Sequence, residues 1–288
     1  MTPKPTEKAK PELDPSNLRL WIAILLFIFL VQDVFVPKNV LVRFIDNLLF
    51  GLIFQFLPTF SEGWRLFQRG LTYLIMAWLF LRAVHRPLGT LGASLEAWKS
   101  GAKWGLGTLG VSAVLLFLLG GIIGGFSHTP SLLGFLPAQL MQLFNGFGKE
   151  LCFRAFLQIS VTILVFRYLK NHYQATWIGI AVSTLFFTIV QIPYLANSGL
   201  QGFELVGTVL HTYLIIGMLV SLIYALTNNL VLVSFLQGGI YFMSYWKVEG
   251  IYPQFPMHIF ILASLGICCV AYRSNPKALK LTPLAART

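Results

Sequence analysis

Apolar runs long enough to cross a lipid bilayer recur along this chain and limit what it can fold into. A membrane-spanning helix needs roughly 20 consecutive, mostly apolar residues. Runs near this length cover residues 20–37, 104–126, 175–195, 204–226, 229–246 and 256–272, and an interrupted run covers 63–84. Only 11% of the 288 residues are charged, against about 25% in soluble domains. The sequence therefore predicts an all-α fold, a polytopic transmembrane helical bundle.

The distribution of Lys and Arg among the loops predicts how the helices are oriented. Cytoplasmic loops of membrane proteins carry an excess of these residues. Basic residues cluster in 82–103, in 167–170 and near the C-terminus, whereas 127–135 and 196–203 contain none. We expect about eight spans with both termini in the cytoplasm. On this orientation the segments 40–60 and 88–98 are expected to lie along the membrane interface as short helices.

The chain is predicted to consist of one membrane domain with polar tails. Residues 1–18 contain prolines among charged side chains, and such a segment cannot bury enough apolar surface to become ordered. We therefore predict a disordered N-terminal tail over 1–18. The N-terminal membrane helices and interfacial segments then cover 19–103, the membrane core covers 104–272, and a basic C-terminal tail covers 273–288.

The composition indicates a lipid bilayer as partner and no nucleic acid. The net charge of +11 is explained by the basic loops that orient membrane helices. The five histidines are scattered, and no two have the i, i+4 spacing of a helical zinc site. We predict no metal and no cofactor. His211 stands out because it follows Glu204 by seven residues, so both are expected on one face of an apolar helix.

Three charged residues interrupt the apolar stretch "FGKELCFRAFLQ" at 147–158: Lys149, Glu150 and Arg154. Glu150 and Arg154 are four positions apart, so on a helix they are neighbours and can form an ion pair. A single charge at membrane depth costs about 2.5–3.5 kcal/mol on insertion scales, and ionisable residues there usually face the bundle interior. We predict that the two residues pair and face inward, either as a structural clamp or as part of a site.

The segment "KELCFRAFL" (149–157) resembles the first motif of the CPBP family, which includes CAAX-type prenyl proteases and bacteriocin-processing or self-immunity membrane proteins. That motif reads Glu-Glu-Leu-x-Phe-Arg-Gly-x-Leu, and here Lys149 and Ala155 replace its first Glu and its Gly. The second motif, Phe-xxx-His, resembles "FTIVQ" (187–191), with Gln191 in the His position.

The third family motif is a His-xxx-Asn helix that follows a Thr-Gly-Asn-Leu turn. It resembles "TNNLVLVSFLQGGIY" (227–241), in which Gln237 and Tyr241 stand at the His and Asn positions. The resemblance covers roughly residues 104–272 and implies a degenerate member of the family, since Lys149, Gln191 and Gln237 replace its catalytic residues.

The resemblance also implies which chemistry is missing. The family's proteolysis is ascribed to a Glu that activates water with the aid of a His, while a further His and an Asn stabilise the oxyanion. Glutamine amides can donate hydrogen bonds, but they cannot take up protons. The groups able to stabilise an oxyanion could therefore persist here, whereas those that transfer protons are substituted.

Three hypotheses about function are open on these residues. The first is a non-proteolytic pseudo-protease that binds a membrane-protein partner or a lipid-modified peptide. The second is an active intramembrane endopeptidase that uses Glu150, with His211 as an auxiliary group. The third is an unrelated transporter or channel, although the inverted repeats of many transporters are not visible.

The order of the predicted helices indicates that the polar positions converge. Glu150 begins its helix, Gln191 is near the end of the next span, and Gln237 is near the middle of another. We expect these residues and His211 to lie toward one membrane face. Residues 132–148 are expected to form an interfacial or re-entrant helix that leads into Lys149.

Overall fold

Helices make up nearly all of the described part of the chain. The computed structural model describes residues 15–35, 61–85, 91–123, 126–128, 132–197, 199, 201–244, 247–248 and 255–274. The helices are α1 (Pro15–Phe35), α2 (Ser61–Ala83), α3 (Leu95–Ile123), α4 (Leu132–Glu150), α5 (Ile159–Leu169), α6 (His172–Asn197), α7 (Gly202–Thr208), α8 (Ile215–Thr227), α9 (Leu230–Ser244) and α10 (Phe255–Ser274). Two π-helical segments, π1 (Leu151–Gln158) and π2 (Val209–Leu214), join α4 to α5 and α7 to α8 without a break.

Five helical segments of the described chain are long and apolar enough to cross a membrane. They are Leu95–Leu119, Gln142–Leu169, His172–Pro193, Gly202–Thr227 and Pro256–Ser274. Three shorter apolar helices cover Asn17–Ile28, Gly70–Ala83 and Leu230–Ile240. Large apolar side chains such as Phe117 and Ile122 on α3 are exposed, which is typical of a surface that faces lipid. The prediction of an all-α helical membrane bundle is confirmed.

The segment 132–148, which the sequence predicted as an interfacial or re-entrant helix that leads into Lys149, is helical throughout. It belongs to α4, which continues through π1 into α5 as one unbroken helical rod. Gly148 approaches the backbone of Gly70 on α2, and Gly146 approaches that of Gly238 on α9. Small residues let helices come this close, so the second half of α4 lies inside the bundle between two neighbours.

The helix expected over 88–98 is not continuous among the described residues 91–98, because α3 begins only at Leu95, and residues 88–90 lie outside the described part of the chain. Leu91 lies buried in the preceding turn, whereas Leu95 is exposed, so the two do not share a helical face. Gly92 in this turn has φ 74°, a conformation that glycine adopts at no steric cost. Its carbonyl accepts a hydrogen bond of 3.1 Å from the N–H of Leu230, which ties the start of α3 to the start of α9.

Besides its helices, the described chain contains one short strand pairing. β1 (Phe126–His128) pairs antiparallel with β2 (Lys247–Val248), and Phe126 lies opposite Val248. The strands follow α3 and α9 in the chain. Their pairing holds the ends of α3 and α9 together. It also provides hydrogen bonds for backbone groups that lie beyond the ends of the helices.

At the N-terminus, the predicted disordered tail over 1–18 extends too far. α1 begins at Pro15, and proline is favoured in the first helical turn because its missing N–H has no helical partner there. Residues 1–14 lie outside the described residues, as do the predicted interfacial segment 40–60 and the C-terminal residues 275–288.

Replacing Gly148 by Ala should separate α2 from α4 and lower stability. A Cβ at Gly148 would lie 2.6 Å from the carbonyl oxygen of Gly70, whereas a Cβ at Gly107 would meet nothing within 4 Å. Replacing a helical Gly by Ala otherwise gains up to about 1 kcal/mol. Thermal unfolding in detergent should give a lower Tm for Gly148→Ala and an unchanged or higher Tm for Gly107→Ala. Equal Tm values for the two variants would contradict the close helix contact.

Candidate functional site

Glu150 and Arg154 form an ion pair that is completely buried within the bundle. Nε of Arg154 lies 3.1 Å from Oε2 of Glu150, and both side chains are 0% exposed. The predicted pairing and inward orientation are confirmed. The N–H of Nε does not meet hydrogen-bond geometry toward the carboxylate, so the contact is an attraction between charges and not a well-aligned hydrogen bond.

Arg154 also connects π1 to two neighbouring helices. Its Nη1 donates a hydrogen bond of 2.8 Å to Oγ of Ser183 on α6, which donates in turn to the carbonyl of Phe153 at 2.8 Å. The guanidinium carbon lies 5.1 Å from the ring centre of Phe187, within the range of a cation–π contact. A Cβ on Gly217 of α8 would lie 3.7 Å from Nη2, so α8 covers Arg154 with a residue that has no side chain.

A second polar cluster lies one turn further along π1. Nε2 of Gln158 donates to the carbonyl of Ser221 on α8 at 3.1 Å, and the hydroxyls of Ser221 and Thr184 are 3.0 Å apart. These bonds join π1, α6 and α8 through buried polar groups. Hydrogen bonds of this kind between helices hold membrane bundles together, where apolar contact alone gives no preference over lipid.

The two π-helical segments lie next to these polar residues and next to a cavity. The sequence did not predict either segment. π1 carries Arg154 at its centre, and π2 carries Thr212 and Tyr213, which line a cavity. π-helical turns are rare and occur frequently at functional sites. The apolar pattern of a membrane helix gives no signal for them, because nearly every position is apolar whichever hydrogen-bond register the backbone takes.

Glu204 lies in α7 and His211 in π2, and both side chains are exposed. π2 begins at Val209, so the seven-residue spacing is not made of two regular α-helical turns. His211 is exposed, and its Nε2 lies 2.9 Å from Nε2 of His258 on α10. This places His211 in a contact with α10 and leaves its predicted role beside Glu150 without a contact among the described residues. The pairing was not visible in the sequence because the two histidines are 47 residues apart.

A cavity of about 160 Å³ is bordered by Phe187, which also contacts Arg154. Besides Phe187, it is lined by Thr212 and Tyr213 of π2, Ile216 of α8, Gln237 and Ile240 of α9, and Met257 of α10. The lining is mostly aromatic and aliphatic, and its polar residues are the buried Gln237 and the half-buried Thr212. Phe187 lines the cavity and also contacts Arg154 of the ion pair. The cavity and the ion pair therefore form one site.

The substituted motif positions are buried close to these features. Lys149 is 6% exposed, and Gln191 and Gln237 are 2% exposed each. Nε2 of Gln191 and Oε1 of Gln237 have no hydrogen-bond partner among the described residues. Tyr241 follows Gln237 by four residues in α9, and its side chain lies outside the described part of the structure.

The turn at 227–230 sets the position of α9 and thus of Gln237. Asn228 ends α8 in the left-handed conformation, with φ 46°, which Gly and Asn adopt more readily than other residues. Asn229 caps α9, because its Oδ1 accepts the N–H of Leu232 at 2.9 Å. Its Nδ2 donates to the carbonyl of Ala97 at 3.0 Å, which fixes α9 against α3.

Comparisons with known proteins find no relative. No protein-family model matches the sequence, and neither a curated protein nor a solved structure matches it. The resemblance to the CPBP motifs therefore stays a prediction from the residues themselves.

Removing the cation of the buried pair should strongly destabilise the protein. Arg154→Ala leaves the carboxylate of Glu150 buried without its ion-pair partner, and breaking such a pair typically costs about 3–5 kcal/mol. Arg273→Ala is the matched control, because Arg273 is exposed at the end of α10. Chemical unfolding in detergent should show the large loss for Arg154→Ala alone. A loss of similar size in both variants would mean that the pair does not support the bundle.

Proposed function

We propose that this chain is a non-proteolytic, CPBP-like integral membrane protein that binds a membrane partner at the site formed by the buried ion pair and the adjoining cavity. The observation that carries the proposal is the contact between Glu150 and Arg154, both fully buried and 3.1 Å apart. A general base has to accept a proton from a water molecule within hydrogen-bond reach. A carboxylate held against a guanidinium inside the bundle is poorly suited to that task.

The chemistry of the neighbouring polar groups supports the same proposal. Gln191 and Gln237 stand at the positions where the CPBP motifs have His, and both side chains are buried. An amide donates and accepts hydrogen bonds but takes up no proton near neutral pH. Loss of a positioned general acid or base alone typically reduces a rate by about 10²–10⁴.

The division between retained and substituted motif positions gives further support. Arg154 and Phe187 are retained and contact each other, and the retained Asn229 caps α9. These residues hold helices together. The positions that differ from the motifs include those to which proton transfer is ascribed in the family, so the chain keeps residues that join helices and has an altered set of polar groups.

The proposed topology is multi-pass with both termini in the cytoplasm. Arg167, at the end of α5, is hydrogen-bonded to Asn17 at the start of α1, which supports a location of the N-terminal end on the side of this basic loop. The contact of Asn229 with Ala97 brings the turn after α8 to the same end of α3 as Lys99 and Lys103. Basic residues collect on the cytoplasmic side of membrane proteins.

Labelling of single cysteines from the two sides of the membrane tests this topology. In a background without the native cysteines, Lys170→Cys should react with a membrane-impermeant maleimide only after the cells are permeabilised. Gln201→Cys lies at the other end of α6 and should react in intact cells. Both positions are exposed, so accessibility is matched. Reaction of both from the same side would contradict the topology.

The purified protein should not cleave prenylated or unmodified membrane peptides. Glu150→Gln, which keeps the shape of the side chain, should not change the peptide products. Its Tm is measured in parallel, so that unfolding is recognised. Cleavage by the wild type that disappears in a folded Glu150→Gln variant would show that the chain is an endopeptidase.

A further inference from the structure

The cavity beside Phe187 combines a mostly apolar wall with a buried amide whose oxygen has no hydrogen-bond partner among the described residues. Gln237 is 2% exposed and lines the cavity, and its Oε1 has no hydrogen-bond partner among the described residues. A buried polar atom without a partner is unfavourable, and native proteins satisfy most such atoms with protein, water or ligand groups. A group that binds in the cavity is therefore expected to form a hydrogen bond with the amide of Gln237.

The volume of the cavity limits the size of that group. A cavity of about 150 Å³ with an apolar lining binds benzene in another protein, and the cavity here is about 160 Å³. It fits one aromatic ring or a side chain of similar size. A farnesyl or geranylgeranyl chain has more than twice the carbon atoms of benzene, so most of such a chain would lie outside this volume.

The lining favours an aromatic ring over other apolar groups. Phe187 and Tyr213 supply two aromatic walls, and aromatic pairs are stabilised beyond the area they bury. Met257 supplies a thioether, and sulfur contacts with aromatic rings are also favourable. The aliphatic side chains of Ile216 and Ile240 also line the cavity.

The amide of Gln237 favours a hydroxyl on that ring. The oxygen and nitrogen of a glutamine amide are assigned from their surroundings and can exchange places by rotation. In one orientation the unsatisfied atom accepts a hydrogen bond, and in the other it donates one. A hydroxyl does both, so it satisfies the amide in either orientation.

We infer that the cavity binds a phenol group, either the side chain of a tyrosine on a partner's membrane helix or a free phenolic molecule. The inference deepens the proposed function, because it names the group that a partner presents to the site. The ring occupies the space between Phe187, Tyr213 and Met257, and its hydroxyl bonds to the amide of Gln237.

Binding of para-cresol, the analogue of a tyrosine side chain, tests the inference against toluene, which lacks only the hydroxyl. Binding is measured by saturation-transfer NMR with the protein in lipid nanodiscs, and empty nanodiscs correct for partition into lipid. Wild-type protein should bind para-cresol about three- to tenfold more tightly than toluene, the ratio expected from one neutral hydrogen bond. Equal binding of the two probes, or binding of neither, would overturn the inference.

Two variants and a matched control locate the binding. Gln237→Leu should remove the preference for para-cresol and leave toluene binding intact, and Met257→Trp should fill the cavity and abolish binding of both. Gln142→Leu replaces another buried glutamine, on α4 and outside the cavity lining, and should leave the preference unchanged. If Gln237→Leu does not fold, loss of binding in a folded Met257→Trp still decides the location. A preference that persists in Gln237→Leu would contradict the assignment.

A synthetic single-span peptide with a central tyrosine, compared with the same peptide carrying phenylalanine, distinguishes the two sources of the phenol. Displacement of para-cresol by the tyrosine peptide alone assigns the site to a partner's side chain. Displacement by neither peptide, with para-cresol still bound, assigns it to a free phenolic molecule. Cleavage of either peptide would contradict the proposed function while leaving the phenol site intact, so the two ideas fail separately.

Discussion

Two opposite charges in the interior of an apolar bundle have to compensate each other, and much of the packing around Glu150 and Arg154 follows from that requirement. The pair lies where α4 passes into π1, with both side chains completely buried. Arg154 still has N–H groups to satisfy, and it reaches Ser183 and the ring of Phe187 on α6. α8 closes over it with Gly217, since a larger residue would enter the space beside the guanidinium. α6 therefore supplies partners for Arg154, and α8 leaves room for it.

The same contact connects structure with the proposed loss of proteolysis. A carboxylate that holds a bundle together and one that takes protons from water need different surroundings, since the first is fixed by a cation and the second must be reachable and able to change protonation state. The glutamines at 191 and 237 complement the first role, because amides add hydrogen-bonding capacity without proton transfer. A cavity then remains beside Phe187 whose size and lining suit recognition of a small aromatic group, and recognition is a function that needs no base.

Sequence reasoning predicted the features that depend on composition and local spacing. The apolar runs gave the membrane helices, and the i, i+4 spacing gave the pair of Glu150 and Arg154. It failed where the outcome depends on contacts between distant segments. The sequence did not indicate that α9 and α2 approach α4 at Gly146 and Gly148. The contact between His211 and His258, the two π-helical segments and the cavity likewise arise from packing, for which an almost uniformly apolar sequence carries no periodic signal.

The central claim is that Glu150 and Arg154 act as one unit that stabilises the bundle, and a double-mutant cycle tests it most directly. Glu150→Gln, Arg154→Gln and the double variant are compared by chemical unfolding in the same detergent. Residues in one ion pair show interaction free energies of about 0.5–3 kcal/mol, whereas independent sites add within about 0.3–0.5 kcal/mol. The account predicts that the double variant is more stable than the sum of the two single losses implies, by more than about 1 kcal/mol on this scale. Additive losses would show that the two charges do not depend on each other and would contradict the account.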